Sequence, residues 1–533
     1  MQTETRDRAA ETQSSFTPIH WLMVLTAVLL TRFSWAPSYL WTDNVNLAYA
    51  LQSFDPRQHQ PQPPGYPLFV AVARLIRFFS PSNGVAFWIV SVGVTIASAL
   101  ILYSLAKRMA SHWVGVGAVI LFFLNPVLWF SRLRSPLRPW LAFFSLLVAY
   151  CAWRCWNGER RFVFWGAIAL GVGIGFRPDV LAYLLPLWVA GAWTATRSWK
   201  ALAQGGLLIV ALSALWFAIV IAAMGGITST IHVIAAYLQE QSRQDSILFA
   251  TSIRTWLRPI SRLVVWNATA FAGWIWASVL AYRHLSFKDR RWSFMSIWVV
   301  PGLVVQLLIH IASPGHTLFA TPVWCLMGAY VIFATGRYRD TILAIAAAVS
   351  ASLFLNLIPL GYPAPPEASP IEKTFISIRN SIAFGTFETS QDRLRWWEEM
   401  AEVSMQELSK FSASNRPNVI VALNGNEEEF DFVNWRVVSY YADRPLVVLM
   451  DNLRPGQAGR IRSVRGNDVK VTGQSAITLP RSGRVLWILR GGGRFHRALE
   501  RYIPVNQGRY IVYSDIPPDA RPFTIEGFEF IPK

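Results

Sequence analysis

Residues 85–108 read VAFWIVSVGVTIASALILYSLAKR. No side chain from Val85 to Ala106 carries a charge, and the next two, Lys107 and Arg108, are both basic. A helix rises about 1.5 Å per residue, so crossing a hydrocarbon core of about 30 Å takes roughly 20 apolar residues. This stretch is therefore predicted to span a bilayer and to end at a basic interface. Similar runs begin near Ile19, Trp113, Pro139, Phe162, Pro178, Ala201, Ile260, Ser293, Leu318 and Thr341. With the run at Val85 they predict about eleven transmembrane helices. The two runs flanking Gly175-Phe176-Arg177-Pro178 are short, and Pro178 suits the first turn of a new helix.

Composition agrees with this reading. The chain has 533 residues, 53% of them hydrophobic and 15% charged, with 25 Trp and 33 Phe. Soluble domains carry about 25% charged residues. The net charge of +18 does not indicate a nucleic-acid partner, because most Lys and Arg stand at the ends of apolar runs and no nucleic-acid motif is present. The three cysteines, Cys151, Cys155 and Cys325, all lie in apolar segments without CxxC spacing. The polar stretch Met1 to Pro18 has no short apolar core with a cleavage pattern, so the first run is expected to be a retained helix.

Lys and Arg in the short loops predict the orientation. With residues 1–17 as a cytoplasmic tail, every inside loop is basic: Lys107-Arg108, Arg154 with Arg160-Arg161, Arg197 with Lys200, Arg283 with Lys288 and Arg290-Arg291, and Arg337 with Arg339. Residues 18–358 then form the membrane domain, and 359–533 an extracytoplasmic one. The outer face also carries Arg57, Arg74, Arg77, Arg132, Arg134, Arg138, Arg177, Arg243, Arg254 and Arg258, with no lysine among them. These guanidinium groups either contact lipid headgroups or meet an anionic lipid phosphate, for which a planar fork is well suited.

Two outer loops stand out, 41–83 and 225–259. In the first, Asn44 to Phe54 and Tyr66 to Phe79 have the apolar spacing of short helices, the second lying in the interface. The Pro-rich turn Gln60-Pro61-Gln62-Pro63-Pro64-Gly65-Tyr66-Pro67 separates them. After a Pro-rich linker (Pro363 to Pro370), a helix is expected over Gln391 to Phe411 and another over Phe430 to Tyr441. Strands are expected at Asn418–Leu423, Leu446–Met450, Val469–Thr472, Arg484–Leu489, Arg509–Tyr513 and Phe523–Phe530. That pattern reads as a soluble α/β domain behind a mostly α, polytopic membrane domain.

Among residues able to carry chemistry, Asp43 stands where the first helix should leave the bilayer. It reads either as a general base for a hydroxyl acceptor or as the cap of the next helix. His59 reads as a phosphate ligand, a metal ligand, a base or a plain loop histidine. Asp55 precedes Pro56 in a common turn placement. Arg177 is an ionisable group at a membrane face, with Asp179 as a local partner. His310 and His316 flank Pro314-Gly315, and His316 is the better placed for a ligand. No Walker loop, GxSxG or HExxH occurs. A divalent metal held by Asp43, His59 and a later acid is possible, though no spacing demands it.

The run Asp43-Asn44-Val45-Asn46-Leu47-Ala48-Tyr49-Ala50-Leu51, with Phe54-Asp55 and His59 through Leu68, resembles the first outer loop of GT-C membrane glycosyltransferases. The likeness is to the bacterial branch similar to protein O-mannosyltransferases, glycosyltransferase family 39. Gly175-Phe176-Arg177-Pro178 and Ser313-Pro314-Gly315-His316 resemble two further loops of that branch, and the resemblance covers about residues 20–340. It implies a hexosyl- or pentosyltransferase of the bacterial inner membrane that takes its sugar from a polyprenyl phosphate. Asp43 would be the base, and Arg177 and Arg74 would hold the donor phosphate. His59, Tyr66 and His316 would line the substrate site, and Glu240 or Asp245 would supply a second carboxylate. The acceptor is left open. A non-catalytic relative that binds a lipid-linked glycan is the alternative. So is a lipid or glycan transporter, although repeated halves and midplane charges, usual in that class, are lacking.

Overall fold

A computed structural model describes residues 37–357, 369–373, 375–376, 388–412, 418–424, 435–441, 446–450, 459–462, 468–472, 476–489, 493–508, 512–525 and 527–533. The expected first helix near Ile19 lies outside the described residues. Two compact units are formed. One contains Tyr66–Arg393, and the other joins Pro37–Gly65 to Leu394–Lys533.

The first unit is helical. Its elements are α2 (Pro67–Phe78), α3 (Asn83–Met109), α4 (His112–Phe123), α5 (Pro126–Arg134), α6 (Pro139–Trp156), α7 (Phe162–Phe176), α8 (Asp179–Thr196), α9 (Trp199–Ala223), α10 (Ile227–Asp245) and α11 (Ile253–Phe271). After the short α12 (Ala277–Ala281) come α13 (Arg290–Leu308), α14 (Thr321–Ala334) and α15 (Arg339–Leu355). Among the described residues four helices are long and apolar enough to cross a membrane: Asn83–Met109, Trp199–Ala223, Arg290–Leu308 and Gly336–Leu355. The bent pair α4–α5 makes a fifth if counted as one span. Its 51° bend falls at Asn125-Pro126. Proline lacks an N–H and excludes its predecessor from the helical region, so the helix must restart there. Asn125 caps the new helix by accepting from the Val127 and Leu128 N–H groups, and its Nδ2 donates to the Ala270 carbonyl at 2.7 Å.

The short pair predicted around Arg177 is real. α7 has 15 residues and α8 has 18, about 22 and 27 Å of rise. Helices pack here through missing side chains. A Cβ on Gly191 would sit 3.0 Å from the Ala152 Cα, and one on Gly175 would sit 2.6 Å from Leu68 Cδ1 and 3.0 Å from Trp216 Cδ1. The second contact seats α2 against α7 and α9. Residues 225–259, read as a polar loop, instead contain α10 and the start of α11. Ile227, Ile231 and Leu238 recur on one helical face, and that amphipathic spacing outweighs the polar composition.

The second unit begins with α1 (Thr42–Gln52) and the Pro-rich turn, and resumes within α16 (Gln391–Ser412). There follow β1 (Asn418–Asn424), α17 (Trp435–Tyr441), β2 (Leu446–Met450), β3 (Gly459–Arg462), β4 (Asp468–Thr472), β5 (Ala476–Leu479), β6 (Arg484–Ile488) and α18 (Arg494–Leu499). The chain ends with β7 (Asn506–Gln507), β8 (Val512–Asp515), β9 (Phe523–Ile525) and β10 (Phe528–Pro532). A seven-stranded sheet has the order β3-β4-β2-β1-β6-β8-β7, parallel from β4 to β6 and antiparallel at both edges. A second sheet has the order β5-β10-β9. The single strand expected over Phe523–Phe530 is two antiparallel strands around Gly527, whose φ of +83° allows the reversal. Val421, Val485, Trp487, Phe495, Leu499 and Phe530 form the buried core.

Candidate active site

Pro37–Gly65 lies along helices of its own unit. Trp41 stacks on Trp397 with centroids 3.9 Å apart, and Tyr39 and Tyr49 meet Tyr441 and Tyr440 edge-on at 5.2 and 5.3 Å. The Ser38 N–H donates to Glu398 Oε1 at 2.9 Å, the Leu40 N–H donates to the Tyr441 hydroxyl at 2.9 Å, and Tyr49 Oη and Ser439 Oγ are 3.0 Å apart. Edge-to-face aromatic pairs add about 0.5–1.5 kcal/mol each beyond area burial, so the two pairs, one on α1 and one just before it, help to hold this segment in one orientation.

Asp43 is the second residue of α1 and is exposed. The N-cap is Trp41, whose side chain makes no capping bond. The cap role weighed for Asp43 is therefore not the one it plays. Its Oδ1 accepts from Gln62 Nε2 at 2.7 Å. Gln62 sits in the Pro-rich turn, and the turn that leads into it is closed by paired Asp55 and Gln60 backbone bonds at 2.7 and 3.1 Å. Asp55 also accepts from the Arg57 backbone and holds its guanidinium at 2.9 Å, which makes Asp55 a turn residue. Gly65 ends the turn with φ +116°, and a Cβ there would lie 2.8 Å from Phe54 Cζ and 2.9 Å from Pro56 Cγ. Glycine alone fits.

His59 follows a three-residue 3₁₀ turn with φ 56° and is half-buried. Burial, then the positive charge of Arg436, pushes its pKa down to about 4 against the pull of Asp43. The imidazole is neutral at pH 7, which an acceptor or a base requires, whereas an ion-paired phosphate ligand would be protonated.

The other candidates lie in the first unit. Tyr66 has φ 49° and starts α2. Arg74 is exposed on that helix, near the exposed Leu75, Phe78 and Phe79. Arg177 has an extended backbone between α7 and α8 and is 6% exposed. Its guanidinium grips Asp179 through two bonds, the one from Nε being 3.0 Å long, and Tyr66 and Tyr183 lie close enough to act on its charge. His316 is buried in a 3₁₀ turn, Pro314–Phe319. Its Nδ1 accepts from the Ala312 and Ser313 N–H groups at 3.2 and 3.4 Å, which leaves the proton of the neutral ring on Nε2. Burial first, then Arg138, His310, Arg177 and Arg262, keeps this imidazole well below the usual range. Gln306 Nε2 donates to the His316 carbonyl at 2.6 Å and so pins the turn. A Cβ on Gly315 would lie 2.7 Å from Arg138 Cδ, so this glycine admits the Arg138 side chain. Glu240 and Asp245 belong to α10, and their side chains lie outside the described residues.

The structure thus brings Arg138, Arg177, Arg262 and His316 into one neighbourhood in the first unit, and Asp43, His59, Gln62 and Arg436 into one in the second. Gln62, Arg262 and Arg436 were not singled out from the sequence. Among the described residues no three His, Cys, Asp or Glu side chains converge as a metal set.

No protein-family model matches the sequence, and no curated protein does either. Solved structures do match. ArnT from Cupriavidus metallidurans in the apo state aligns with a TM-score of 0.57 and 12% identity, covering 93% of this chain and 97% of that one. ArnT bound to undecaprenyl phosphate gives 0.59 and 11%, covering 93% and 98%. The chain has the GT-C fold. A further match, at TM-score 0.40 and 12% identity, is the Archaeoglobus fulgidus oligosaccharyltransferase in its apo form, over 77% of this chain and 63% of that one. With the GT-C fold in place, the apolar helices read as those of a membrane protein.

Proposed function

We propose that this GT-C chain is a membrane glycosyltransferase that moves a hexosyl or pentosyl group from a polyprenyl phosphate to a hydroxyl acceptor. Asp43 takes the proton of the acceptor hydroxyl. The freed oxygen forms a bond to the anomeric carbon as that carbon's bond to the phosphate oxygen breaks, and the polyprenyl phosphate departs with the electron pair. Arg177, with Arg74, meets the charge that grows on the phosphate. Tyr66, His59 and His316 line the substrate site, and Glu240 or Asp245 adds a second carboxylate. The membrane domain has about eleven spans in a bacterial inner membrane, with the N-terminus in the cytoplasm and a C-terminal α/β domain outside.

One observation carries the reading. The Asp43 carboxylate is exposed at the start of a helix it does not cap, and a side chain from the Pro-rich turn holds it. Two others support it: a cluster of buried or half-buried guanidinium groups suited to phosphate, and undecaprenyl phosphate bound to a protein of the same fold. The test is sugar transfer in liposomes from a panel of undecaprenyl-phosphate-linked hexoses and pentoses. Release of undecaprenyl phosphate with sugar on an added acceptor is expected. Tight binding of undecaprenyl phosphate without turnover of any donor favours the non-catalytic reading.

A further inference from the structure

Arg436 reaches Gln58, 378 positions away, in the 3₁₀ turn Pro56–Gln58 that leads into the Pro-rich turn. It stands on α17, is 7% exposed, and donates from Nη2 to the Gln58 carbonyl. Its Cζ is 5.9 Å from the centre of the Tyr49 ring. Tyr49 is itself held by Tyr440 at 5.3 Å and by Ser439 Oγ at 3.0 Å. One short helix therefore grips both arms of the first outer loop, α1 through Tyr49 and the turn through Gln58. Four residues beyond Gln58, the Pro-rich turn presents Gln62 to Asp43 at 2.7 Å.

A buried guanidinium is an expensive way to satisfy one carbonyl. Burial lowers the Arg436 pKa to about 10 against the pull of Tyr49. An uncharged amide would cost less if the bond only closed a loop. The guanidinium does more, because it donates to Gln58 while its Cζ lies over the Tyr49 ring. Arg436 also repels the proton of His59, opposite in sign to the effect of Asp43. It therefore adds to burial, the larger cause, in keeping His59 neutral beside a carboxylate that favours the imidazolium.

We infer that Arg436 is a positioning residue. Through Gln58 and Tyr49 the C-terminal domain holds the Pro-rich turn, and with it Gln62, in the geometry that aims the Asp43 carboxylate. The inference rests on the reading of Asp43 as the base, and it gives the C-terminal domain a part in the reaction. The acid and its orienting glutamine are then set by a domain that follows the membrane helices in sequence.

The test uses the full chain in nanodiscs with Arg436→Met and Arg436→Lys. Hydrogen–deuterium exchange reads the peptides covering residues 53–64, and exchange at Trp487 and Phe530 in the sheet core checks that the domain stays folded. Arg436→Met is expected to raise exchange in 53–64 about tenfold or more with the core unchanged. The kcat for whichever undecaprenyl-phosphate sugar the wild type uses should fall about tenfold to a hundredfold, with KM for that donor within about twofold. The ¹³C-histidine signal of His59, assigned from His59→Gln, should titrate at a higher pH in Arg436→Met. Arg436→Lys keeps a charge and a donor and should restore most of the protection and part of kcat. Unchanged exchange in 53–64 in Arg436→Met overturns the inference, and so does loosened exchange with wild-type kcat. If Arg436→Met does not fold, the lysine variant decides: full protection with transfer lost also overturns it. Transfer that persists in Asp43→Asn removes the base reading instead, while the exchange result still reports whether Arg436 holds the turn.

Discussion

At the scale of single residues, the account turns on how Asp43 and His59 are held. Gln62 Nε2 approaches one carboxylate oxygen at 2.7 Å, an exposed but charge-assisted bond. Gln62→Leu removes it while keeping the turn's prolines, and kcat is expected to fall about tenfold with little change in donor KM. Equal kcat in the two proteins would show that Asp43 needs no such support. His59 gives a pH signature. Its pKa in the fold is about 4, against about 6.5 in an unfolded chain. Between those values the unfolded chain binds a proton that the folded one does not, so stability is fullest above about pH 6.5 and declines as pH falls toward 4. The contribution is on the order of 3 kcal/mol. Thermal midpoints measured from pH 4 to 7 should therefore fall less steeply with acid in His59→Gln than in the wild type, and parallel curves would contradict the assignment. The sequence marks Asp43 and His59 by type and spacing. Nothing in it marks Gln62, whose role depends on how the Pro-rich turn folds back over 19 residues.

Among the elements, helices were the legible part, because a long apolar run can become little else. Apart from the one expected near Ile260, which begins at Ile253, the described helices start close to the expected positions from Val85 to Thr341. Residues 225–259 misled because polar side chains outnumber the apolar ones. The decisive signal was the placing of Ile227, Ile231 and Leu238 rather than their number. The tail of the chain misled through length, since a run from Phe523 to Phe530 is long enough for one strand but contains Gly527 at its reversal. α2 carries the prediction at this scale. Phe69, Val70 and Ala73 are buried, while Leu75, Phe78 and Phe79 are 62, 83 and 76% exposed beside Arg74. An apolar face with a flanking guanidinium is what a helix in the membrane interface presents. A spin label at Phe78→Cys in nanodiscs should be more accessible to oxygen than to a water-soluble nickel chelate. The three native cysteines are buried and should stay unlabelled. Preferential access by nickel would place the helix in water.

For the whole molecule, basic loops predict an N-terminus in the cytoplasm and a C-terminal domain outside. A C-terminal epitope tag should be reached by antibody in intact spheroplasts, and a tag reached only after permeabilisation would invert the scheme. Architecture was legible further than mechanism. The bilayer imposes the same length and charge rules on every span, so a polytopic membrane domain could be read from local pattern, while the GT-C expectation rested on the resemblance of the first outer loop. The division into units could not. Pro37–Gly65 groups with Leu394–Lys533, and contacts such as Arg436 to Gln58 link residues too far apart for any periodicity to reveal.

The central claim is that the carboxylate of Asp43 performs the proton transfer, and the direct measurement is single-turnover sugar transfer by Asp43→Asn in liposomes, with undecaprenyl phosphate binding measured on the same preparation. The account predicts that binding is kept while the transfer rate falls about a hundredfold or more. Transfer at the wild-type rate, with binding intact, would contradict it.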